Sequence, residues 1–125
     1  MSKASVILVV EDNEANQLLA RAVLELEGFE VHIAGSAPEA LDSLREVTPN
    51  LILMDVQLPK MSGLDATRQL RADPRTAAVP IIVITSYALS GDAQKATDAG
   101  ASAYLAKPYS PRELLAKIRE IVPEG

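Results

Sequence analysis

Two hydrophobic periods alternate along this chain. Val6-Ile7-Leu8-Val9-Val10, Leu51-Ile52-Leu53-Met54 and Ile81-Ile82-Val83-Ile84 are short, solid apolar runs, and the first and third are rich in β-branched residues. Strands buried on both faces have this character, and they belong to parallel sheets covered by helices. Glu30-Val31-His32-Ile33 alternates polar with apolar, and Ala103-Tyr104-Leu105-Ala106 is short and mixed. Both suit the edges of a sheet better than its centre.

Between these runs the period lengthens to that of a helix. Ala15, Leu18, Leu19, Ala22, Val23 and Leu26 recur at spacings of three and four, and Gly28 follows as a stop. Ser36-Ala37-Pro38-Glu39 has capping-box spacing and opens a second helix carrying Ala40, Leu41, Leu44 and Val47. Ser62-Gly63-Leu64-Asp65 can open a third. The segment from Gly91 to Ala99 offers Ala93, Ala96 and Ala99 but no large apolar residue, so weak packing is expected there. Ser110-Pro111-Arg112-Glu113 is a strong helix start, leading to Leu114, Leu115, Ile118, Ile121 and Val122.

Strand then helix, repeated along the chain, implies right-handed crossovers and a doubly wound α/β sheet. With the second and fifth strands at the edges, the expected architecture is a flavodoxin-like five-stranded parallel sheet of order 2-1-3-4-5 with five helices. Neither a repeat nor a long linker divides it, so one domain over residues 1–125 with a core at 5–122 is expected. Ligands of such sheets bind beyond the carboxyl ends of the strands.

Composition narrows the function. Without cysteine, the chain can form neither a disulfide framework nor a thiolate metal site. Neither a signal peptide nor an apolar stretch of membrane-spanning length is visible, so a cytoplasmic protein is expected, with no membrane partner. The net charge of −5 and the scarcity of aromatic residues argue against nucleic acid as a direct partner. His32, the only histidine, is expected to lie exposed on an edge strand.

The residues at the strand ends carry the chemistry. Glu11 and Asp12 follow the first strand, Asp55 the third, Thr85 the fourth and Lys107 the fifth. In the expected order the first and third strands are neighbours, so the three acids converge. Carboxylates at close quarters repel one another unless one takes up a proton or a cation intervenes. A hard ion such as Mg²⁺, which takes oxygen ligands and commonly a substrate phosphate, removes the conflict. Lys107 offers a compact positive charge suited to phosphate oxygens, and Thr85 a hydroxyl donor.

Glu11-Asp12, Leu53-Met54-Asp55, Leu58-Pro59-Lys60-Met61-Ser62-Gly63, Ile84-Thr85-Ser86-Tyr87-Ala88 and Lys107-Pro108 together resemble the motifs of response-regulator receiver domains, over Val6 to Val122. The sequence is especially similar to single-domain regulators of the cell-division type and to receiver modules of hybrid histidine kinases. The resemblance implies a two-component phosphorelay switch rather than an enzyme, with Asp55 as phosphoacceptor. It implies Mg²⁺ held by Asp12, by Glu11 directly or through water, by Asp55 and by the main-chain carbonyl of Gln57. Lys107 would pair with the phosphoryl group, across a bond to Pro108 that is often cis in the family. Thr85 would move to the phosphoryl group and Tyr104 would swing inward behind it. Gln57 and Tyr87 would tune water access. Ser86, where the family often has Ala or Gly, adds a second hydroxyl able to share the contact.

The implied donor is a phosphohistidine on a histidine kinase or phosphotransfer protein, and the implied output is a protein target docking around Tyr104. Three alternatives stand beside this reading. A haloacid-type aspartyl-phosphate phosphatase would need a second Asp where Gln57 stands. A flavodoxin-like carrier would need a phosphate loop where Glu11-Asp12-Asn13-Glu14 stands. A receiver module excised from a hybrid histidine kinase would look the same as a free-standing regulator.

Overall fold

All five apolar segments form strands in the computed structural model, which describes residues 5–86 and 92–122. The elements are β1 (Val6–Val10), α1 (Glu14–Leu26), β2 (Glu30–Ala34), α2 (Ala37–Ser43), β3 (Leu51–Asp55), α3 (Gly63–Ala72), β4 (Ile81–Thr85), α4 (Asp92–Ala99), β5 (Ala103–Ala106) and α5 (Pro111–Ile121). One parallel sheet runs in the order β2-β1-β3-β4-β5, as the pattern of solid and mixed strands predicts. Among the described residues, no helix is long and apolar enough to cross a membrane.

Alternation along the strands divides the core into two halves. Leu8, Val10, Ile52, Met54, Ile81 and Val83 face α2, α3 and α4, where they meet Ala37, Ala40, Leu44, Ala66, Leu70 and Ala96. Ile7, Val9, Leu51, Leu53, Ile82 and Ile84 face α1 and α5, where they meet Ala20, Leu24, Leu114 and Ile118. Each side chain of this size contributes roughly 1.5–3 kcal/mol on full burial, so β1, β3 and β4 are the part of the molecule hardest to displace.

The helix starts behave as their sequences suggest. Ser110 caps α5 with a complete capping box: its hydroxyl accepts from the Glu113 N–H at 3.1 Å while Glu113 accepts from the Ser110 N–H at 2.9 Å. Ser62 caps α3 by accepting from Leu64 N–H. The α2 box closes only halfway. Ser36 accepts from Glu39 N–H, but the Glu39 carboxylate accepts from Gly35 N–H instead of Ser36. α2 also ends at Ser43, short of Val47.

α1 differs from expectation in rotation. The spacing favours Ala15, Leu18, Leu19, Ala22, Val23 and Leu26 as its packed stripe. Of these Val23 packs against the core, but the buried positions are Ala20 and Leu24, while Leu18, Leu19 and Leu26 are 63%, 51% and 86% exposed. One contact at the start of the helix accompanies this orientation. The Gln17 side-chain amide donates to the Glu11 carbonyl at 2.6 Å, which turns position 17 toward the sheet. Positions three and seven residues further on, Ala20 and Leu24, share that face.

Candidate functional site

The site forms where β1, β3 and β5 end. Because β1 pairs with both β2 and β3, the residues following it emerge over the middle of the sheet. Glu11 and Asp55 are 6% and 4% exposed, whereas Asp12 is open to solvent. One carboxylate oxygen from each of the three lies within 4.8 Å of the others. The convergence expected from strand order is therefore present, and Glu11, Asp12 and Asp55 share one site.

Lys107 occupies the middle of it. Its Nζ donates to Glu11 Oε1 and to Asp55 Oδ2, both at 2.9 Å. The other oxygens are held as well: Glu11 Oε2 accepts from Asn13 N–H at 3.0 Å and Asp55 Oδ1 from Gln57 N–H at 2.9 Å. Burial by itself would lower the lysine pKa. The hydrogen bonds and charges of Asp55 and Glu11 outweigh it and hold the ammonium above its ordinary range. Lys107 follows β5 directly, its N–H donates to the Thr85 carbonyl at 2.7 Å, and its bond to Pro108 is cis.

Thr85 is the last residue of β4 and is buried; Ser86, next to it, is exposed. Thr85 is level with Ala106 of β5, and Tyr104 is level with Val83. Tyr104 is half-buried against the α2, α3 and α4 half of the core. Gln57 is exposed in the loop after β3. Tyr87, expected beside Thr85 and Ser86, lies outside the described residues.

Two contributors are not evident from residue type. Gly63 is buried where α3 begins, and a Cβ there would overlap the Asp55 carbonyl. Its N–H donates to the Val56 carbonyl at 3.0 Å. The bare Cα thus lets the helix close down on the Asp55 main chain. Within the same loop Lys60 has φ of 72°, a left-handed conformation that disfavours side chains. Tyr109 is the second. It is half-buried beside Lys107, and burial raises its phenol pKa despite the opposing lysine charge. With Asn16, Leu19, Ser86, Lys107 and Pro108 it lines an open groove of about 400 Å³.

The donors suit a hard divalent cation. All three side chains are carboxylates, and among the described residues the positive charge bonded to two of them, Glu11 and Asp55, is Lys107. The sequence matches a known family model, the response regulator receiver domain, over residues 7–119.

The chain belongs to that family. Polar-differentiation response regulator DivK of Brucella ovis is 41% identical over 113 residues, covering 90% of this chain and 92% of the relative. Among solved structures, the receiver domain of a sensor histidine kinase from Pseudomonas aeruginosa, with magnesium coordinated in its active-site cleft, is 36% identical. It superposes with a TM-score of 0.89, covering 97% of this chain and 99% of that one. A response regulator from Chloroflexus aurantiacus is 31% identical with a TM-score of 0.93, covering 98% and 100%. This receiver is accordingly a phosphoacceptor switch of two-component signal transduction. The haloacid-type phosphatase and the flavodoxin-like carrier are set aside. Both free-standing regulators and kinase-borne receivers are among its relatives.

Proposed function

We propose that Asp55 accepts a phosphoryl group from a phosphohistidine on a histidine kinase or histidine phosphotransfer protein. In this reading Mg²⁺ is held by Glu11, Asp12, Asp55 and the main-chain carbonyl of Gln57. The observation that carries it is the convergence of three carboxylates, two of them almost without access to solvent and both bonded to Lys107. A carboxylate oxygen of Asp55 attacks phosphorus in line, the bond from phosphorus to the imidazole nitrogen breaks, and its electron pair stays on the imidazole. Lys107 remains charged and holds one of the phosphoryl oxygens, so the step is governed by positioning and electrostatics. When bound, Mg²⁺ supplies further compensation for the negative charge of the transferring group.

The response follows from contacts that exist only in the phosphorylated state. The Thr85 hydroxyl turns to the phosphoryl group, Tyr104 moves into the space behind it, and Ser86, Gln57 and Tyr87 set how readily water reaches the acyl phosphate. A downstream protein reads the altered surface around Tyr104. The exposed Leu18 and Leu19 and the adjoining groove offer the donor an apolar approach to Lys107 and Asp55. Residues 1–125 work as one domain, without intrinsic turnover beyond gaining and losing its own phosphoryl group, in the cytoplasm.

The direct test is incubation with acetyl phosphate, with and without Mg²⁺, followed by intact mass. The expected result is one phosphoryl group on the wild type with Mg²⁺ and none on Asp55→Asn. Equal labelling of both proteins would overturn the assignment.

A further inference from the structure

Each polar group of Glu11 has a partner. Its N–H extends the β1–β2 ladder to the Ala34 carbonyl at 3.0 Å. Its carboxylate accepts from Lys107 and from the Asn13 N–H. Its carbonyl accepts from the Gln17 side-chain amide at 2.6 Å. Asp12 is the opposite case. Its carboxylate is open to solvent and, among the described residues, enters no hydrogen bond or ion pair.

The direction of the Asp12 carboxylate is therefore set by its main chain, and Gln17 holds that main chain on both sides. The Glu11 carbonyl and the Asp12 N–H belong to one planar peptide group, so fixing the oxygen fixes the plane from which the Asp12 side chain departs. Beyond Asp12, the Asn13 carbonyl accepts from the Gln17 main-chain N–H at 2.9 Å. This second bond is the ordinary first rung of α1, whose start Asn13 caps by accepting from the Asn16 N–H at 3.0 Å. The bond to Glu11 is no part of the helix. It reaches six residues back and ties α1 to the peptide ahead of Asp12.

That bond needs an amide. Methionine has the length but no donor, and a glutamate carboxylate would face the carbonyl with a second acceptor. Without a donor the part-buried Glu11 carbonyl must turn to find water.

We infer that Gln17 is a positioning residue for the cation site. By holding the peptide between Glu11 and Asp12, it keeps an Asp12 oxygen within 4.8 Å of those of Glu11 and Asp55. This rests on the switch reading above, in which Asp12 is a ligand of Mg²⁺. Gln17 acts only through Asp12, so it governs cation affinity and leaves the attack by Asp55 unchanged.

Gln17→Met and Gln17→Glu test this, because charge and hydrogen bond oppose each other in the second. A carboxylate added beside the acidic cluster favours a cation by electrostatics alone, whereas the lost donor disfavours it. Titration calorimetry with Mg²⁺ should show affinity falling about tenfold in both variants, the lower end of the loss when an outer contact of a metal site is removed. In metal-free protein the amide resonance of Asp12, which shares the bonded peptide group, should shift in both. Phosphoryl uptake from acetyl phosphate should need about tenfold more Mg²⁺ for its half-maximal rate, with the rate at saturating Mg²⁺ within about twofold of wild type. A merely structural contact would lower the unfolding midpoint and leave the Mg²⁺ requirement unchanged. Affinity within about twofold of wild type in Gln17→Met, or tighter binding by Gln17→Glu, would overturn the inference. A wild type that binds Mg²⁺ but gains no phosphoryl group ends the switch reading, and the calorimetric comparison still decides Gln17. A wild type that binds no Mg²⁺ ends both.

Discussion

Lys107 Nζ lies 2.9 Å from Glu11 Oε1 and 2.9 Å from Asp55 Oδ2, so one ammonium is shared between two carboxylates that a metal would also claim. Lysine and cation therefore compete for the same oxygens. Removing one partner of a buried ion pair leaves an uncompensated charge and costs about 3 kcal/mol. Lys107→Met should lose that much stability in metal-free buffer and regain most of it in Mg²⁺. Its Mg²⁺ affinity should rise on the order of tenfold, which corresponds to ~1.4 kcal/mol of relieved competition. Denaturant melts and titration calorimetry check both; a variant with unchanged affinity would show that lysine and metal do not compete.

Alkaline pH should weaken the fold. The Lys107 pKa is raised above its ordinary 10.5, so the stability it contributes is complete below that value and is lost as pH climbs through the folded value. Tyr109 acts in the same direction. Its folded pKa lies above the ordinary 10.0, so the native state keeps the phenolic proton longer than the unfolded chain does. Thermal melts without divalent ions should show declining stability from about pH 10 upward, and a Lys107→Met, Tyr109→Phe double variant should show a shallower decline.

Leu19 is half-exposed on the rim of the groove that reaches Lys107. Leu19→Asp should change stability by less than about 0.5 kcal/mol, as surface substitutions do. Phosphotransfer from a protein donor should nevertheless slow roughly tenfold, the effect of losing one apolar anchor, with uptake from acetyl phosphate unchanged. Equal slowing with both donors would place the defect at Asp55 rather than in docking.

The loop after β3 should respond oppositely to two exchanges. Gly63→Ala drives a methyl group into the Asp55 carbonyl and should cost at least about 2 kcal/mol, within the range for overpacking, with slower phosphoryl uptake. Lys60→Gly relieves the left-handed backbone at φ 72° and should stabilise by ~0.5–1 kcal/mol. Chemical denaturation of the two variants is sufficient to check the signs.

Most of the sheet was legible in the sequence because strands buried on both faces leave solid apolar runs. Val6–Val10 and Ala103–Ala106 coincide with β1 and β5, and the other three strands extend one residue beyond the runs, to Ala34, Asp55 and Thr85. The acidic cluster was legible for a related reason: once strand order is known, Glu11, Asp12 and Asp55 have one place to meet. The rotation of α1 was not. Leu18, Leu19 and Leu26 mark one stripe and Leu24 another, and the bond from Gln17 to the Glu11 carbonyl that accompanies the second is not visible in residue types. Gly63 was placed at the start of the third helix and in a motif, but its close approach to the Asp55 carbonyl was missed, because that partner belongs to main chain, which looks the same at every residue.

The inner strands β1, β3 and β4 have side chains closed in on both faces by the two halves of the core. Such close-packed interiors yield little to a small local force. A single added anion at the rim cannot bend that slab, so its influence must travel sideways along the border where strands give way to loops. The timing of the response should then follow loop rearrangement, on the order of microseconds to milliseconds, and leave the hydrogen-bonded ladder between β1 and β3 as protected in one state as in the other.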